Sequence, residues 1–472
     1  METPRPFSPH PDRLFPPDPQ GRDVARRIYE QVRDLPIISP HGHVPASWLA
    51  DDQPFRDPTS LLISPDHYIT RLLHASGVPL EKLGVGGVRL TPDEAREAWR
   101  IFCAHWPAFA GTPSRYWMES ELADIFGIEQ RPSEHTADAL YDEISARLDS
   151  AEFRPRALVR RFGIDVLATT DDPCDDLAAH AAIRRAEDVT ARVVPTFRPD
   201  RYLEAGRPDW ATLVDALGSA ADVDTRSYDG FLRAMEIRRA HFVEHGAVSA
   251  DHSHVDVVTL TLDPGEARRI YTAARSSSAT AAETTALRRH LLVEMARMSV
   301  EDGLVMTLHP GVARDHHAPT AAAYGTDVGC DIPVAVEYTR GLQHLLERFG
   351  TAEGFHLVLF SLDETTFSRE IAPLAGFYPS VFAGAPWWFL DAPDAIRRFQ
   401  GAVTETVGFT RLSGFIDDTR AFCSIPARHD MSRRLDCSYL AELVTRHRLD
   451  EDEAREIAQD LVRVNPRRTF KL

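Results

Sequence analysis

From residue 163 onward, short apolar runs of strand length alternate with polar sequence of helical periodicity. Seven such runs follow one another before the C-terminal region. They cover residues 164–170, 193–197, 247–250, 304–309, 355–362, 380–383 and 414–417. Strands that are apolar along their whole length and alternate with helices are typical of a parallel sheet with both faces covered.

An earlier apolar run at residues 35–41 brings the number of predicted strands to eight, the number that closes a β/α barrel. Between these strands we predict helices over residues 175–186, 228–244, 285–298, 335–349 and 393–406. The expected fold is therefore α/β, a TIM-like (β/α)8 barrel with a helix after most strands.

The barrel does not use the whole chain of 472 residues. Residues 45–160 carry helical patterns without a convincing strand, which indicates a mostly helical insertion after the first strand. A proline-rich segment, residues 1–20, is expected to form an extended arm on the surface or on a neighbouring subunit. The barrel then comprises residues 21–44 and 161–434, and residues 435–472 are expected to form helices packed on its outside.

Composition excludes several classes of protein. A formal net charge of -18 argues against a nucleic-acid binder, which needs a basic face. No apolar run approaches the roughly 20 residues of a membrane span, and the N-terminus lacks the pattern of a secretory signal. The five cysteines are scattered and odd in number, as in a cytoplasmic protein with reduced thiols. We expect a cytoplasmic homo-oligomer that acts on a small molecule, with no nucleic-acid or membrane partner.

Polar residues of ligand type recur where the apolar runs end, which is where barrels of this kind carry their chemistry. The run ends are His41 and His43, Thr169 to Pro173, Arg198 to Asp200, Asp251 and His252, His309, Asp363, Trp387 to Phe389, and Asp417 to Arg420. One aspartate after a strand is usually a helix cap or a solvated residue. The recurrence of such residues at all eight positions indicates a shared site instead.

His41 and His43 are the clearest start of a metal site, because residues two apart in an extended segment point to the same side. Asp418 ends the last run, which neighbours the first in a closed barrel, and is suited to be a third, anionic ligand. A helix-capping role for Asp418 stays open. His309 is either a fourth ligand, an acid or base facing a substrate, or a hydrogen-bonded core residue.

Eight motifs, in this order, resemble the uronate isomerase family of the amidohydrolase superfamily over nearly the whole chain. They are His41-Gly42-His43, Asp66-His67-Tyr68, Thr169-Thr170-Asp171-Asp172-Pro173, Phe197-Arg198-Pro199-Asp200, Asp251-His252, Leu308-His309, Trp387-Trp388-Phe389 and Asp418-Thr419-Arg420. The resemblance implies a distorted barrel of the amidohydrolase type with a helical insertion. It also implies interconversion of D-glucuronate with D-fructuronate and of D-galacturonate with D-tagaturonate.

The same resemblance implies that His41, His43 and Asp418 bind one divalent metal ion, with zinc the expected ion. It places Tyr68, Arg198, Asp251, His309, Trp387 and Arg420 around the sugar. Because the closing motif begins Asp417-Asp418, the ligand could be the preceding aspartate. The residue between the two histidines is Gly42, which leaves room for a close approach.

Aldose–ketose isomerisation needs one base and a positive field on the developing enediolate. For these roles we expect Asp418 as the base and Arg420 beside the metal ion. Tyr68 and His309 have side chains that can transfer hydroxyl protons. We expect Arg198 to bind the substrate's carboxylate with the assistance of His67. Asp251 is expected to bind the sugar, and Trp387 to form an apolar wall beside it.

Two other functions stay open at this point. The first is a mononuclear metal-dependent hydrolase on the same barrel. A binuclear site bridged by a carboxylated lysine is excluded, since the chain has no lysine between Lys82 and Lys471. The second is a sugar-binding barrel without catalysis, which would not need so many titratable groups at one mouth.

Overall fold

The computed structural model describes residues 8–472. Seven parallel strands pair in chain order, each with the next. They are β1 (Ile37–Ser39), β2 (Ile164–Ala168), β3 (Arg192–Val194 and Thr196–Phe197), β4 (Ser249–His252), β5 (Val305–Leu308), β6 (Leu357–Leu359) and β7 (Val381–Ala383). Pro195 lies between the two pieces of β3 and has no N–H to donate, so one piece pairs with β2 and the other with β4.

The eighth position of the barrel is filled by an irregular segment, residues 411–419. The Ala383 N–H donates to the Arg411 carbonyl (3.0 Å), and the His43 N–H donates to the Thr419 carbonyl (3.0 Å), so the segment bridges β7 and β1. The strand expected at residues 414–417 is not regular, because Gly414 has a φ of +80° and lies against Pro466. The predicted distorted (β/α)8 barrel is thus confirmed, with its last strand replaced by an extended segment.

Residues 45–160, all of them described, contain helices and no strand. Their α-helices are Ala46–Asp51, Pro58–Leu62, His67–Ala75, Pro92–Ala104, Pro113–Ser120 and Ala137–Leu148, and Pro155–Arg161 leads into β2; single 3₁₀ or π turns are Leu80–Leu83, Val85–Gly87, Trp106–Phe109, Glu121–Ile125 and Ala151–Phe153. Buried Trp99, Phe102 and Phe126 are part of an apolar core in this region. This core holds the insertion against the barrel mouth.

Helices of the barrel region follow the predicted alternation. They are Ala178–Arg185, Asp200–Leu203, Trp210–Ala221, Tyr228–Glu244, Pro264–Arg275, Ala281–Asp302, Ala318–Tyr324, Tyr338–Gly341, Gln343–Phe349, Ala372–Phe377 and Pro393–Val407, with short turns at Phe367–Ile371 and Trp388–Leu390. The helix at Ala281–Asp302 begins before its predicted start at residue 285, because Thr280 and Glu283 form a capping box. The helix predicted for residues 335–349 is two short helices.

The two ends of the described chain pack together. Helix Pro19–Tyr29 lies against Ser424–Thr445, and Glu451–Gln459, a π turn at Asp460–Val464 and Asn465–Phe470 complete the C-terminal region. In the arm, Arg13 pairs with Asp430 (2.8 Å), so the part of the arm that follows residue 8 lies on the chain's own C-terminal helix. Residues 1–7 of the arm lie outside the described residues. None of the helices described is both long and apolar enough to cross a membrane.

Candidate active site

One cavity at the C-terminal ends of the strands is lined by all ten residues that the sequence singles out. They are His41, His43, His67, Tyr68, Arg198, Asp251, His309, Trp387, Asp418 and Arg420. The space inside the cavity, including its opening to solvent, is about 670 Å³. Eight of these side chains converge because they follow parallel strands, whose carboxyl ends meet at one mouth, while His67 and Tyr68 come from the insertion.

His41, His43 and Asp418 form a compact group that could hold a metal ion. The Asp418 Oδ1 atom lies 3.3 Å from His41 Nε2 and 2.9 Å from His43 Nε2. Two imidazole nitrogens and one carboxylate oxygen are a donor set that suits a divalent ion such as zinc. Buried Asp418 Oδ1 lacks a well-formed hydrogen bond among the described residues, as expected of an atom available to a ligand.

The surroundings of this group shift the pKa values of its three members in different directions. Burial by itself raises the pKa of Asp418, but the two histidines, whose Nε2 atoms lie against its carboxylate, hold it well below its usual value. Burial lowers the pKa of His43 to about 4. At neutral pH the carboxylate is therefore ionised and the His43 imidazole is neutral, which are the protonation states that bind a metal ion. Burial lowers the pKa of His41, but Asp251 and Asp418 raise it above its usual value, so a metal ion would have to displace a proton from His41.

The structure separates the two neighbouring aspartates at the end of the eighth segment. Asp418 has a φ of +40°, a left-handed conformation that aspartate tolerates, and its carboxylate turns into the cavity. Asp417 instead accepts a hydrogen bond from His429 (3.0 Å) on the helix Ser424–Thr445. A Cβ at Gly42 would lie 3.3 Å from Asp417 Oδ1, so the glycine relieves packing against the eighth segment.

Asp251, at the end of β4, connects several groups at the floor of the cavity. Its Oδ1 accepts hydrogen bonds from His309 Nδ1 and Thr307 Oγ1, each at 2.7 Å. Its Oδ2 lies 3.5 Å from Arg198 Nε and 4.0 Å from His41 Nε2. The buried Asp251 thus fixes His309 so that its Nε2 faces away from this bond, and His41, Asp251 and His309 form a second group of metal-ligand type.

The neighbouring His252 is 1% exposed, and burial lowers its pKa to about 4. As the pH falls, His252 takes up a proton at a higher pH in the unfolded state than in the folded state. The free energy of unfolding therefore decreases between about pH 6.5 and 4. Urea unfolding should show that the free energy of unfolding of the parent falls by about 2 kcal/mol between pH 7 and pH 5. We expect this loss to be absent in His252→Gln. Equal losses in both proteins would contradict this assignment.

Tyr68 and His67 reach the mouth from the insertion. Asp66 accepts a hydrogen bond from the Tyr68 N–H (2.8 Å) and so caps the helix His67–Ala75, which presents both rings to the cavity. Burial raises the pKa of Tyr68, and this keeps its hydroxyl protonated as a proton donor. The His67 ring stacks on Tyr68 with 4.7 Å between centroids.

Beneath Tyr68 lies Arg428, which the sequence pattern does not reveal. This fully buried side chain pairs with Asp391 (2.7 Å), donates to Ser424 Oγ (2.9 Å) and lies 5.0 Å from the Tyr68 ring centroid. It therefore ties the C-terminal helix to the insertion directly below the site.

Replacing Arg428 by methionine should destabilise the fold by about 3–5 kcal/mol, since Asp391 would be left buried without its partner. Thermal or urea unfolding measures this loss. The double variant Arg428→Met/Asp391→Leu should recover a large part of it. A double variant no more stable than the single one would show that the ion pair is not the cause.

Three arginines face the cavity, and only two were expected. Arg198 Nε pairs with Asp200 (2.8 Å). Arg420 and the unexpected Arg314 share the carboxylate of Asp327. Arg314 and Asp327 lie in the long excursion between β5 and β6, where no periodicity marks a functional residue, so motif spacing could not find them.

An apolar wall completes the cavity. The Trp387 ring meets the His309 ring edge to face at 4.7 Å between centroids, and Phe360 stacks on His309 from another side at 4.1 Å. Trp388, which also lines the cavity, has a φ of +49°, an uncommon conformation for a bulky residue. These rings restrict His309 to one orientation.

Not every strand end contributes to the cavity. Asp172 accepts from the Cys174 N–H and the Tyr202 hydroxyl, and Asp363 accepts from the Thr365 N–H, which are local turn and capping roles. Of the two lysines, Lys82 is exposed in the insertion and Lys471 donates to the Gly303 and Gly354 carbonyls. Neither lysine lines the cavity.

Known proteins resemble this chain over nearly its full length. The family model described as glucuronate isomerase matches residues 20–470. A uronate isomerase from Cutibacterium acnes is 54% identical over 98% of each chain. The crystal structure of glucuronate isomerase from Caulobacter crescentus is 43% identical, covers 99% of this chain and 98% of its own, and superposes with a TM-score of 0.96. That of uronate isomerase from Thermotoga maritima is 29% identical, covers 98% and 99%, and has a TM-score of 0.91. The chain therefore belongs to the glucuronate isomerase family and is an isomerase.

Proposed function

We propose that the protein interconverts aldose and ketose hexuronates, D-glucuronate with D-fructuronate and D-galacturonate with D-tagaturonate. The observation that carries this proposal is the position of Asp418, an ionised carboxylate between two imidazoles in a cavity lined by arginines. A single base that faces a positively charged pocket suits proton transfer between adjacent carbons.

Asp418 is the proposed base that takes the proton from C2 and returns it to C1. Its low pKa makes it a weak base, so the substrate's C2 proton must be acidified by positive charge near the carbonyl oxygen. Arg420 lies two residues away at the same mouth and supplies part of this charge. The enediolate then forms without a separate strong base.

Hydroxyl protons must also move, because the sugar ring opens before isomerisation. Tyr68 keeps its phenolic proton and is proposed to donate it. Asp251 orients His309, because its carboxylate binds His309 Nδ1 and leaves Nε2 for the substrate. Asp251 therefore acts through His309 as well as through its contact with Arg198.

The remainder of the sugar is bound by the rim of the cavity. Arg198 is the proposed partner of the substrate's carboxylate, with His67 beside it, and Arg314 and Arg420 add two further guanidinium groups. Trp387 offers an apolar face to the carbon skeleton. The large number of cationic groups agrees with an anionic substrate.

The proposed metal ion is zinc, held by His41, His43 and Asp418. When bound, a divalent ion supplies positive charge that polarises a carbonyl oxygen. The donor set and the buried, unsatisfied Asp418 Oδ1 support this assignment. The metal identity is tested by elemental analysis of the purified protein.

A mononuclear hydrolase is the alternative function for the same group of ligands. The decisive experiment incubates the purified protein with D-glucuronate and with D-galacturonate and follows ketose formation. We expect D-fructuronate and D-tagaturonate, without release of an acid or of ammonia from amide or lactone substrates. Hydrolysis without ketose formation would overturn the proposal. Cytoplasmic location and homo-oligomeric assembly stay predictions, and light scattering after size exclusion tests the latter.

A further inference from the structure

A second cavity lies on the other side of the barrel, where β1 and β2 begin. It is lined by the chain that leads into these strands, by the insertion and by the helix Ser424–Thr445. The space inside it, including its opening to solvent, is about 1100 Å³. It shares no lining residue with the cavity that contains Asp418. A ligand in this second cavity would therefore contact side chains that the proposed reaction does not use.

Arg433, on the helix, is a buried cation that lines this second cavity. It is 5% exposed, and its two Nη atoms donate to the carbonyls of Arg33 (2.8 Å) and Pro36 (3.2 Å), just ahead of β1. Within the described part of the chain, no carboxylate lies within 4 Å of its guanidinium group, and its Nε has no hydrogen-bond partner. Burial lowers the pKa of Arg433 despite the nearby charge of Asp430. A buried guanidinium group without an anionic partner is costly, and a bound anion would remove that cost.

Two of the carboxylates around the cavity are already paired with other arginines. Asp430 pairs with Arg13 and with Arg434, each at 2.8 Å. Asp34 pairs with Arg33 at 2.8 Å. These carboxylates therefore do not neutralise the charge of the buried guanidinium group.

Arg161 is a second guanidinium group at this cavity, and it is exposed. Its Nη2 donates to the backbone carbonyls of Asp124 (3.2 Å) and Ile125 (2.8 Å), and no carboxylate of the residues described lies within 4 Å of it. The side chain of Asp124 is 61% exposed and lies 3.9 Å from Arg13. The cavity thus has one cation inside it and another at its surface.

Glu121 adds a hydrogen-bond donor to the lining. It is 3% exposed, and its carboxyl group forms neither an ion pair nor a hydrogen bond with any residue that the structure describes. Burial raises the pKa of this carboxyl well above its usual value. The group is therefore neutral at pH 7 and can donate its O–H to a ligand oxygen.

We propose that this second cavity binds a small oxyanion of the phosphate class, with Arg433 and Arg161 as cationic partners and Glu121 as a donor. Guanidinium groups match the oxygens of phosphate, and buried charge-assisted hydrogen bonds are the strong ones. The same chemistry suits inorganic phosphate and the phosphoryl group of a phosphorylated sugar acid. This site is separate from the proposed function, since binding there requires no turnover.

The position of this site connects it to the segments that carry the proposed metal ligands. Arg433 binds the chain ahead of β1, and His41 follows the other end of that strand. His429 lines the same cavity and donates to Asp417, the neighbour of Asp418. A bound anion therefore stabilises the barrel where its first strand meets the eighth segment.

Isothermal titration calorimetry of the full chain tests the proposal, with inorganic phosphate and 6-phospho-D-gluconate as the probes. Arg161→Gln is the main variant, because Arg433 also holds the backbone ahead of β1. We expect the parent to bind phosphate and Arg161→Gln to bind it about tenfold more weakly, the effect of losing one charge-assisted pair. The thermal unfolding midpoint of the parent should rise with phosphate, and less so in the variant. Tighter binding of 6-phospho-D-gluconate would identify a phosphorylated sugar acid as the ligand, and equal binding would identify phosphate itself.

A second variant tests the donor inside the cavity. Glu121→Met removes the O–H and should weaken phosphate binding about tenfold, whereas Glu121→Gln keeps an N–H donor and should retain it. Arg33→Gln is the matched control for Arg161→Gln, because Arg33 lines the same cavity but already pairs with Asp34. We expect it to change the affinity by less than about twofold.

Arg198→Gln, in the cavity of Asp418, separates the two sites and should leave this binding unchanged. Phosphate binding that is lost in Arg198→Gln, or that is equal in the parent, Arg161→Gln and Glu121→Met, would place the anion elsewhere and overturn the inference. A parent protein that shows no saturable binding of either probe would overturn it as well. Isomerase activity does not enter these measurements, so their failure and a failure of the proposed function are distinguishable.

Discussion

Replacing Asp418 by asparagine is expected to lower kcat for D-glucuronate by about 10³-fold or more, because the amide cannot accept the C2 proton. The change keeps the size of the side chain, and asparagine tolerates the φ of +40° found at this position. The fold should therefore remain intact. Steady-state assays, with circular dichroism and thermal unfolding as checks on the fold, measure the effect.

The matched control is Asp417→Asn, one residue earlier in the chain. The Asp417 carboxylate points at His429 rather than into the cavity, and an amide oxygen can still accept that hydrogen bond. We expect a loss of less than about tenfold in kcat, since no proton transfer depends on this group. An Asp418→Asn protein with activity near that of the parent would refute the assignment of the base.

Metal content should distinguish the two groups of ligand-type residues that share His41. If His41, His43 and Asp418 bind the ion, His43→Gln should weaken zinc binding by more than the roughly 10–100-fold that outer-shell changes cause. His309→Gln should keep about one zinc ion per chain, because His309 belongs to the second group. Elemental analysis after dialysis against a weak chelator gives the comparison.

The two variants control for each other, since each removes one imidazole from the same cavity. A loss of zinc in His309→Gln with retention in His43→Gln would move the metal site to His41, Asp251 and His309. Zinc retained in both proteins would show that neither histidine is a required ligand. Activity is not needed for this test, so its result does not depend on which sugar is the substrate.

The strand–helix rhythm of the sequence was sufficient to predict the barrel, because periodicity is a local property of the chain. It placed the ends of the strands closely enough that eight of the ten selected residues line one cavity, while His67 and Tyr68, in the insertion, were selected only through the family resemblance. It was wrong about a regular eighth strand, where Gly414 packs against Pro466 from the C-terminal region. That contact joins segments about fifty residues apart and leaves no local pattern.

From the sequence, the functional residues at the strand ends could be predicted only as a group and not one by one. Asp172 and Asp363 follow apolar runs just as Asp418 does. In the structure, however, they accept hydrogen bonds from nearby backbone N–H groups in turns and caps. Which side chain faces the cavity depends on backbone conformation, such as the positive φ of Asp418, which residue type alone does not determine.

By itself, the sequence determined the alternation of strands and helices, the paired imidazoles of His41 and His43, and the near absence of lysine that limits the metal chemistry. These features follow from spacing and composition, which need no knowledge of long-range contacts. Only the tertiary structure decided that Asp418 and not Asp417 faces the histidines, and that Arg428 supports Tyr68. It alone brought Asp327 between Arg314 and Arg420, because that position depends on how a long loop packs against a distant insertion.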